Sequence, residues 1–172
     1  MRYILPVLAL FLASCGQTVY VVRHAEKATG IDPGTMKTYG DPPLSQEGEE
    51  RALQLKQVLG SKDIRHIFST NTVRTVSTAR PLKEMYLGMP IQLYNSKPDS
   101  MKVFLDKIRN IRKGNILIVG HSNTIDDIAN QLAGKTVVPG DLKDSEYNNL
   151  YVLKRKKGGY RFENRKYGAP AK

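Results

Sequence analysis

The sequence predicts a three-layer α/β fold around a mostly parallel sheet, and three observations carry that expectation. Segments rich in β-branched residues alternate with segments of helical apolar spacing, the pattern that places helices on both faces of a sheet. Residues 116–119, ILIV, are apolar at every position, as a central strand covered on both sides requires. Residues 20–27 read YVVRHAEK, so a buried strand ends in Arg23 and His24, at the carboxyl edge where open α/β sheets hold ligands. An edge strand that happens to finish in polar residues accounts for this last stretch equally well on its own.

At 172 residues the chain fits one domain with a core of ordinary size. Its 40% hydrophobic and 25% charged residues exclude wholesale disorder, and no repeat of fixed period is visible. The formal net charge of +11 points to phosphorylated or otherwise anionic partners, or to an anionic membrane surface, without by itself implying nucleic acid. Residues 1–15 stand apart from the fold. Arg2 supplies a short positive region, residues 4–12 are apolar, and the segment closes on Leu12-Ala13-Ser14-Cys15, too short to span a bilayer. This pattern resembles a bacterial lipoprotein signal, in which Cys15 is lipidated and becomes the first residue. The alternative is a plain secretory signal with an incidental cysteine. A lone cysteine makes no intrachain disulfide. Only Gly16 and Gln17 then separate the lipid from a single domain of residues 18–165, so the domain is expected close against a membrane of the cell envelope, outside the cytoplasm, with the Lys/Arg-rich end of the chain helping to hold anionic headgroups.

The first strand starts near Thr18. Residues 28–43 hold three Gly and three Pro among polar residues and read as a long loop. Ser45 is placed to cap a helix with Glu47, Glu49 and Glu50 in its first turns, Ala52, Leu55, Val58 and Leu59 at helical spacing, and Gly60 at its end. Residues 64–68 form the second strand, followed by Ser69, Thr70 and Asn71 and then Arg74. Val73, Val76 and Ala79 give a short helical stripe, which Pro81 is expected to kink or restart. Residues 91–94 read as a short third strand. Asp99 or Ser100 is expected to cap a helix that presents Met101, Phe104, Leu105, Ile108 and Ile111. The fourth strand, 116–119, runs into Gly120-His121-Ser122-Asn123; Ile125, Ile128, Ala129 and Leu132 then mark a helix closed by Gly134. Residues 150–153 and 160–162 read as a hairpin around Gly158 and Gly159.

Three strand ends share one design. The first supplies Arg23 and His24, the second is followed by Arg74, and the fourth supplies His121. In parallel strands all four side chains converge at one sheet edge. Two guanidiniums and two imidazoles repel one another in an empty crevice, so the set makes sense around a dianion such as a phosphoryl group, whose oxygens the guanidinium fork matches. VVRHAEK, then PLSQEGEERA (43–52), STNTVRTVSTARPL (69–82) and GHSNT (120–124) resemble, in order and roughly in spacing, the histidine phosphatase superfamily, also called phosphoglycerate-mutase-like. The resemblance covers nearly all of residues 18–153. One departure is Ala25, where the family often has Gly after its catalytic histidine; Ala also occurs there among small members.

The resemblance implies that His24 is the nucleophile that becomes phosphorylated, that Arg23, Arg74 and His121 hold the transferring group, and that water then releases phosphate, with no metal or other cofactor. The chemistry of the residues agrees: phosphoryl transfer needs positioning and preorganised positive charge. A nucleophilic imidazole must be unprotonated at the attacking nitrogen, which neighbouring arginines favour. His121 is assigned as a donor, charged once phosphate is bound. Asn123 adds a donor to phosphate or only stabilises its turn. For the general acid, Glu26 is the first candidate, at the mouth of the site by sequence, and Asp99 the alternative; each has a structural reading, Glu26 in an ion pair with Arg23 or Arg74 and Asp99 as a helix cap. Glu146 is a weaker third. His66 reads as structural or surface, and three histidines without ligand spacing do not make a zinc site. Gly134-Lys135-Thr136 has the ending of a phosphate-binding loop but lacks its first glycine and follows a helix, so it is rejected. Residues 154–157 are basic without interleaved stacking aromatics, which favours solvent or membrane over nucleic acid. The expected protein is an envelope-anchored phosphomonoesterase or phosphohistidine phosphatase acting on a phosphorylated small molecule or phosphoprotein. A mutase is disfavoured by the short segment after Arg74, and a non-catalytic anion-binding lipoprotein is the alternative from another class.

Overall fold

The computed structural model describes residues 16–32, 34, 36 and 40–170. The signal expected in residues 1–15, with Cys15, lies outside the described residues. The elements follow as β1 (Thr18–Arg23), α1 (Gln46–Leu59), β2 (Ile64–Ser69), α2 (Val73–Lys83), β3 (Ile91–Leu93), α3 (Pro98–Asn110), β4 (Asn115–Gly120), α4 (Ile125–Ala133), β5 (Asn149–Lys156) and β6 (Gly159–Lys166). The strands form one sheet in the order β3-β2-β4-β1-β5-β6. β3, β2, β4 and β1 are parallel, while β5 runs antiparallel to β1 and β6 antiparallel to β5.

The alternation of side chains along the strands sorts the core into two layers. Val19, Val21, Ile116 and Ile118 face α3 and α4, packing with Phe104, Leu105, Ile108, Ile125 and Ile128. Tyr20, Val22, Leu117 and Val119 face the other way, against Leu55, Leu59, Ala79 and Leu82 of α1 and α2. Each such aliphatic side chain contributes about 1.5–3 kcal/mol by leaving water. The two strands that are apolar on both faces, β1 and β4, therefore sit in the middle of the sheet.

Ser45 caps α1, its Oγ accepting from Gly48 N–H at 3.2 Å. Two expectations are corrected. Pro81 does not restart the helix: α2 runs unbroken from Val73 to Lys83 with Pro81 in its last turn, where the fixed φ of proline is helical. Asp99 and Ser100 do not cap α3, which begins two to three residues earlier than either cap would place it, with Pro98 in its first turn and Lys97 as N-cap, and which has no side-chain cap bond. The terminal hairpin is also longer than its apolar residues indicated. Its ladder extends from Asn149 paired with Lys166 to Lys156 paired with Gly159, since backbone pairing continues beyond the buried stretch.

Candidate active site

β1 and β4 end side by side: Arg23 is level with Gly120, and His24 N–H donates to the Gly120 carbonyl at 2.9 Å. β2 lies on the other side of β4, with Ser69 level with Val119, and three residues beyond its end α2 begins, with Arg74 in its first turn. Parallel pairing thus gathers Arg23, His24, Arg74 and His121 around one open crevice of about 690 Å³, also lined by Asn123, Thr72, Lys27 and Lys97. The glycine at position 120 is required by its surroundings, since a Cβ there would lie 2.8 Å from the Tyr94 hydroxyl and 2.9 Å from Ile125 Cγ2.

His24 is 4% exposed and held from several sides. Its Nδ1 lies 2.7 Å from the Ala25 carbonyl, which only accepts, so Nδ1 carries the proton and Nε2 the lone pair. Ala25 N–H in turn donates to Thr78 Oγ1 at 2.9 Å. Burial first, then the charges of Arg74 and Arg23 and the neighbouring His121, push the His24 pKa down from 6.5 to about 3, against the raising effect of the Ala25 carbonyl. The His24 and His121 ring centroids are 5.5 Å apart, edge to face.

His121 is fixed by a chain of hydroxyls. Thr70 Oγ1 donates to Thr75 Oγ1 at 3.0 Å and therefore accepts from His121 Nε2–H at 2.8 Å. The Nδ1 lone pair then faces Arg74 Nη2 at 3.5 Å. Burial and Arg74 lower its pKa to about 4, with Asp41 opposing. A bound dianion would reverse this balance and let Nδ1 take a proton and donate it.

Arg23, 3% exposed, is wrapped by the turn before β5: Nη1 donates to the carbonyls of Lys143 at 2.8 Å and Asp144 at 3.3 Å, and its guanidinium lies 4.0 Å from the centre of the Tyr147 ring. Arg74 donates through Nη1 to Asp41 Oδ1 at 2.9 Å, while Asp41 Oδ2 accepts from Val73 N–H at 2.7 Å. Among the described residues, the Nε groups of both arginines are buried without a protein partner. Such donors are costly to leave unpaired, and beside a neutral imidazole they suit the oxygens of a tetrahedral anion.

The acid candidates stand elsewhere, which corrects the expectation for each. Glu26 is turned out of the crevice: both its oxygens take bonds from Arg51, at 2.9 and 2.8 Å from Nε and 2.6 Å from Nη2. The pairing with Arg23 or Arg74 that the sequence left open is absent, because α1 brings a buried guanidinium to Glu26 first. Asp99 is exposed in the first turn of α3 and does not line the crevice, although Ser96, Lys97 and Pro98 do. Glu146 Oε2 accepts from Lys143 N–H at 2.9 Å and braces the turn around Arg23. Asn123 is exposed at the crevice wall. His66 lies away from the site, with Nε2 3.2 Å from the Lys113 carbonyl. Asp41, Thr70, Thr78, Tyr147 and Arg51 were not singled out from the sequence. Asp41 sits in the Gly/Pro-rich loop, where nothing periodic marks it, and the others act through partners 25 to 124 positions away.

The family profile described as histidine phosphatase superfamily (branch 1) matches residues 19–95. No curated protein matches the chain. Among solved structures, a putative phosphohistidine phosphatase SixA from Agrobacterium tumefaciens superposes with a TM-score of 0.63 at 19% identity, covering 90% of this chain and 99% of that one. A putative alpha-ribazole-5'-P phosphatase from Escherichia coli gives 0.63 at 15%, covering 91% and 98%. A mycobacterial glucosyl-3-phosphoglycerate phosphatase gives 0.62 at 14%, covering 89% and 99%. The stretch from β1 through Arg74 thus matches the histidine phosphatase superfamily, and the fold is shared over nearly the whole length of these neighbours.

Proposed function

We propose that the protein is a phosphatase that works through a phosphohistidine on His24 and needs no metal. The observation that carries this reading is the His24 tautomer: Nδ1–H is committed to the Ala25 carbonyl, and burial among cations keeps Nε2 unprotonated and nucleophilic. Nε2 attacks phosphorus while Arg23, Arg74 and, once protonated at Nδ1, His121 bind the equatorial oxygens. The bond from phosphorus to the leaving group breaks: an aryl oxide departs as the anion, and the imidazole of a phosphohistidine, protonated beforehand from solvent at its second nitrogen, departs neutral. Water then attacks the phosphohistidine, the P–N bond returns its electrons to Nε2, and phosphate leaves. Asn123 at the crevice wall adds a donor to the substrate.

The carboxylates lining the crevice, Asp127 and Asp144, are both exposed, and Asp41 is engaged by Arg74. The site therefore suits leaving groups that depart without a buried acid. A phosphohistidine is one, because its leaving imidazole takes a proton from solvent at its second nitrogen before the P–N bond breaks. The name of the SixA neighbour accords with that substrate class. We place the protein at the envelope through a lipidated Cys15, on the strength of Leu12-Ala13-Ser14-Cys15.

Labelled aryl phosphate should leave an acid-labile phosphoryl group on His24, turnover should persist in chelator, and His24→Ala should abolish label and turnover together. Full activity in that variant ends the proposal. Mass spectrometry of membrane-extracted protein should find an acylated amino-terminal Cys15; a mature form retaining Met1 refutes the anchor.

A further inference from the structure

We propose that the sheet edge opposite the crevice is a docking face for an anionic bilayer, so that the crevice points away from the membrane and takes its phosphoryl groups from solution. The second half rests on the phosphatase reading; the first stands on charge and topology alone.

The strand register defines that edge. Ile64, Asn115, Thr18, Lys154 and Arg161 stand level across the sheet at the amino ends of the parallel strands. Two or three residues further out come Lys62 before β2, Arg112 and Lys113 before β4, and Lys156 and Lys157 at the hairpin tip, while Lys135 follows the carboxyl end of α4. All six are exposed. Lys135, Lys156 and Lys157 line one shallow cleft with the tip glycines. The carboxylate beside them, Asp63, is already paired with Arg65 at 2.8 Å.

The chain enters the fold at this same edge. Gln17 is clamped by Arg155, whose N–H donates to the Gln17 carbonyl at 2.8 Å and whose Nη2 reaches Gln17 Oε1 at 2.7 Å. Gly16 packs so closely that a Cβ would lie 2.9 Å from the Arg155 carbonyl oxygen. Arg155 also donates to the carbonyls of Arg109 and Ile111 at the end of α3, so the entry point is rigidly tied to the basic edge. Any anchor on residues 1–15 therefore holds the molecule by its basic side.

Dispersed lysines on a broad face, without a built pocket, match a surface of headgroups rather than one bound anion. The aromatics of that cleft are engaged by the protein itself: Tyr160 has its hydroxyl bonded to Arg155 at 2.6 Å, and Phe162 packs edge to face on Tyr151 with ring centres 5.4 Å apart, which disfavours base stacking. β1 carries the chain across the sheet from this edge to His24, about 20 Å at roughly 3.3 Å per residue. That exceeds the roughly 8–10 Å over which headgroup charge is felt at physiological salt, so the crevice lies outside the layer of phosphates that holds the opposite edge.

The test uses the full chain with Cys15→Ser, floated with phosphatidylcholine vesicles or with vesicles containing phosphatidylglycerol. The neutral vesicles report any binding by the apolar leader. Anionic vesicles should bind more tightly, and Arg112→Gln, Lys113→Gln, Lys156→Gln and Lys157→Gln together should weaken that binding by several hundredfold, at about fivefold for each surface charge. Lys27→Gln with Lys97→Gln, at the crevice edge, should leave it unchanged. Hydrolysis of an aqueous aryl phosphate reports that the fourfold variant is folded; its rate should be equal for free and vesicle-bound protein, while phosphatidic acid in the same vesicles should release no phosphate. Equal binding to both vesicles, loss through the crevice-edge pair instead, or displacement by single-stranded nucleic acid at matched phosphate overturns the docking face. Release of phosphate from phosphatidic acid overturns the orientation. No hydrolysis of aryl phosphate by any sample sinks the phosphatase reading with the substrate half of this proposal, and leaves the docking face to the vesicle result alone.

Discussion

Replacing Glu26 by Gln separates a structural role from a catalytic one, because the two predict opposite readouts. The Arg51 side chain is 4% exposed and Glu26 16%, with three bonds between them. Gln retains a carbonyl oxygen for one of those bonds but removes the charge, and the guanidinium stays buried. Breaking a buried pair from one side costs about 3–5 kcal/mol, mostly as the penalty of the charge left behind. Taking about 3 kcal/mol, since Arg51 also donates to the Tyr167 carbonyl at 3.2 Å, the melting temperature should fall by about 6–12 °C in a domain of this size. The double variant Glu26→Gln, Arg51→Met should recover most of the loss, because no unpaired charge then remains. Thermal melts give the stability, and parallel rates on an alkyl and an aryl phosphate give the chemistry. The ratio of the two rates should not change. An unchanged melting temperature with the alkyl ester slowed roughly a hundredfold relative to the aryl one would identify a general acid and refute the ion-pair assignment.

Stability should fall as the pH is lowered from about 6.5 towards 4. His24 and His121 have pKa values near 3 and 4 in the empty crevice, against 6.5 unfolded, so the unfolded chain binds up to two more protons in that window and the slope approaches about 2.7 kcal/mol per pH unit; flat urea midpoints between pH 6.5 and 4.5 would contradict the burial of both rings. Gly48→Ala should cost about 1–3 kcal/mol, the usual penalty of overpacking, because a Cβ on this face of α1 collides with the carbonyl oxygen of Glu26, which accepts from Ser45 N–H. It should also lower activity by displacing the segment that follows His24, and a variant with unaltered urea midpoint and rate would show that the approach of α1 to residues 24–26 is not tight.

Local pattern was enough to read the sheet, because its information is local. ILIV at the centre of β4, the alternation of β1, and the helical spacing of Leu55 and Leu59 each report which surfaces are buried, and burial on two faces dictates helices on both sides of a parallel sheet. Convergence of Arg23, His24, Arg74 and His121 followed too, since parallel strands with ligand residues at their carboxyl ends have only one edge on which to meet. Which carboxylate goes with which cation was decided only by the tertiary structure. Glu26 lies two positions from His24 and three from Arg23, yet it pairs with Arg51, 25 positions away, because α1 docks its glycine face on the backbone at Glu26 and delivers a guanidinium there. Asp41 reaches Arg74 across 33 positions from a loop without periodicity. Sequence order measures distance along the chain, whereas Coulomb and hydrogen-bond energies depend on separation in space. Only packing of the elements turns one into the other, so the cations at the strand ends were legible and their partners were not.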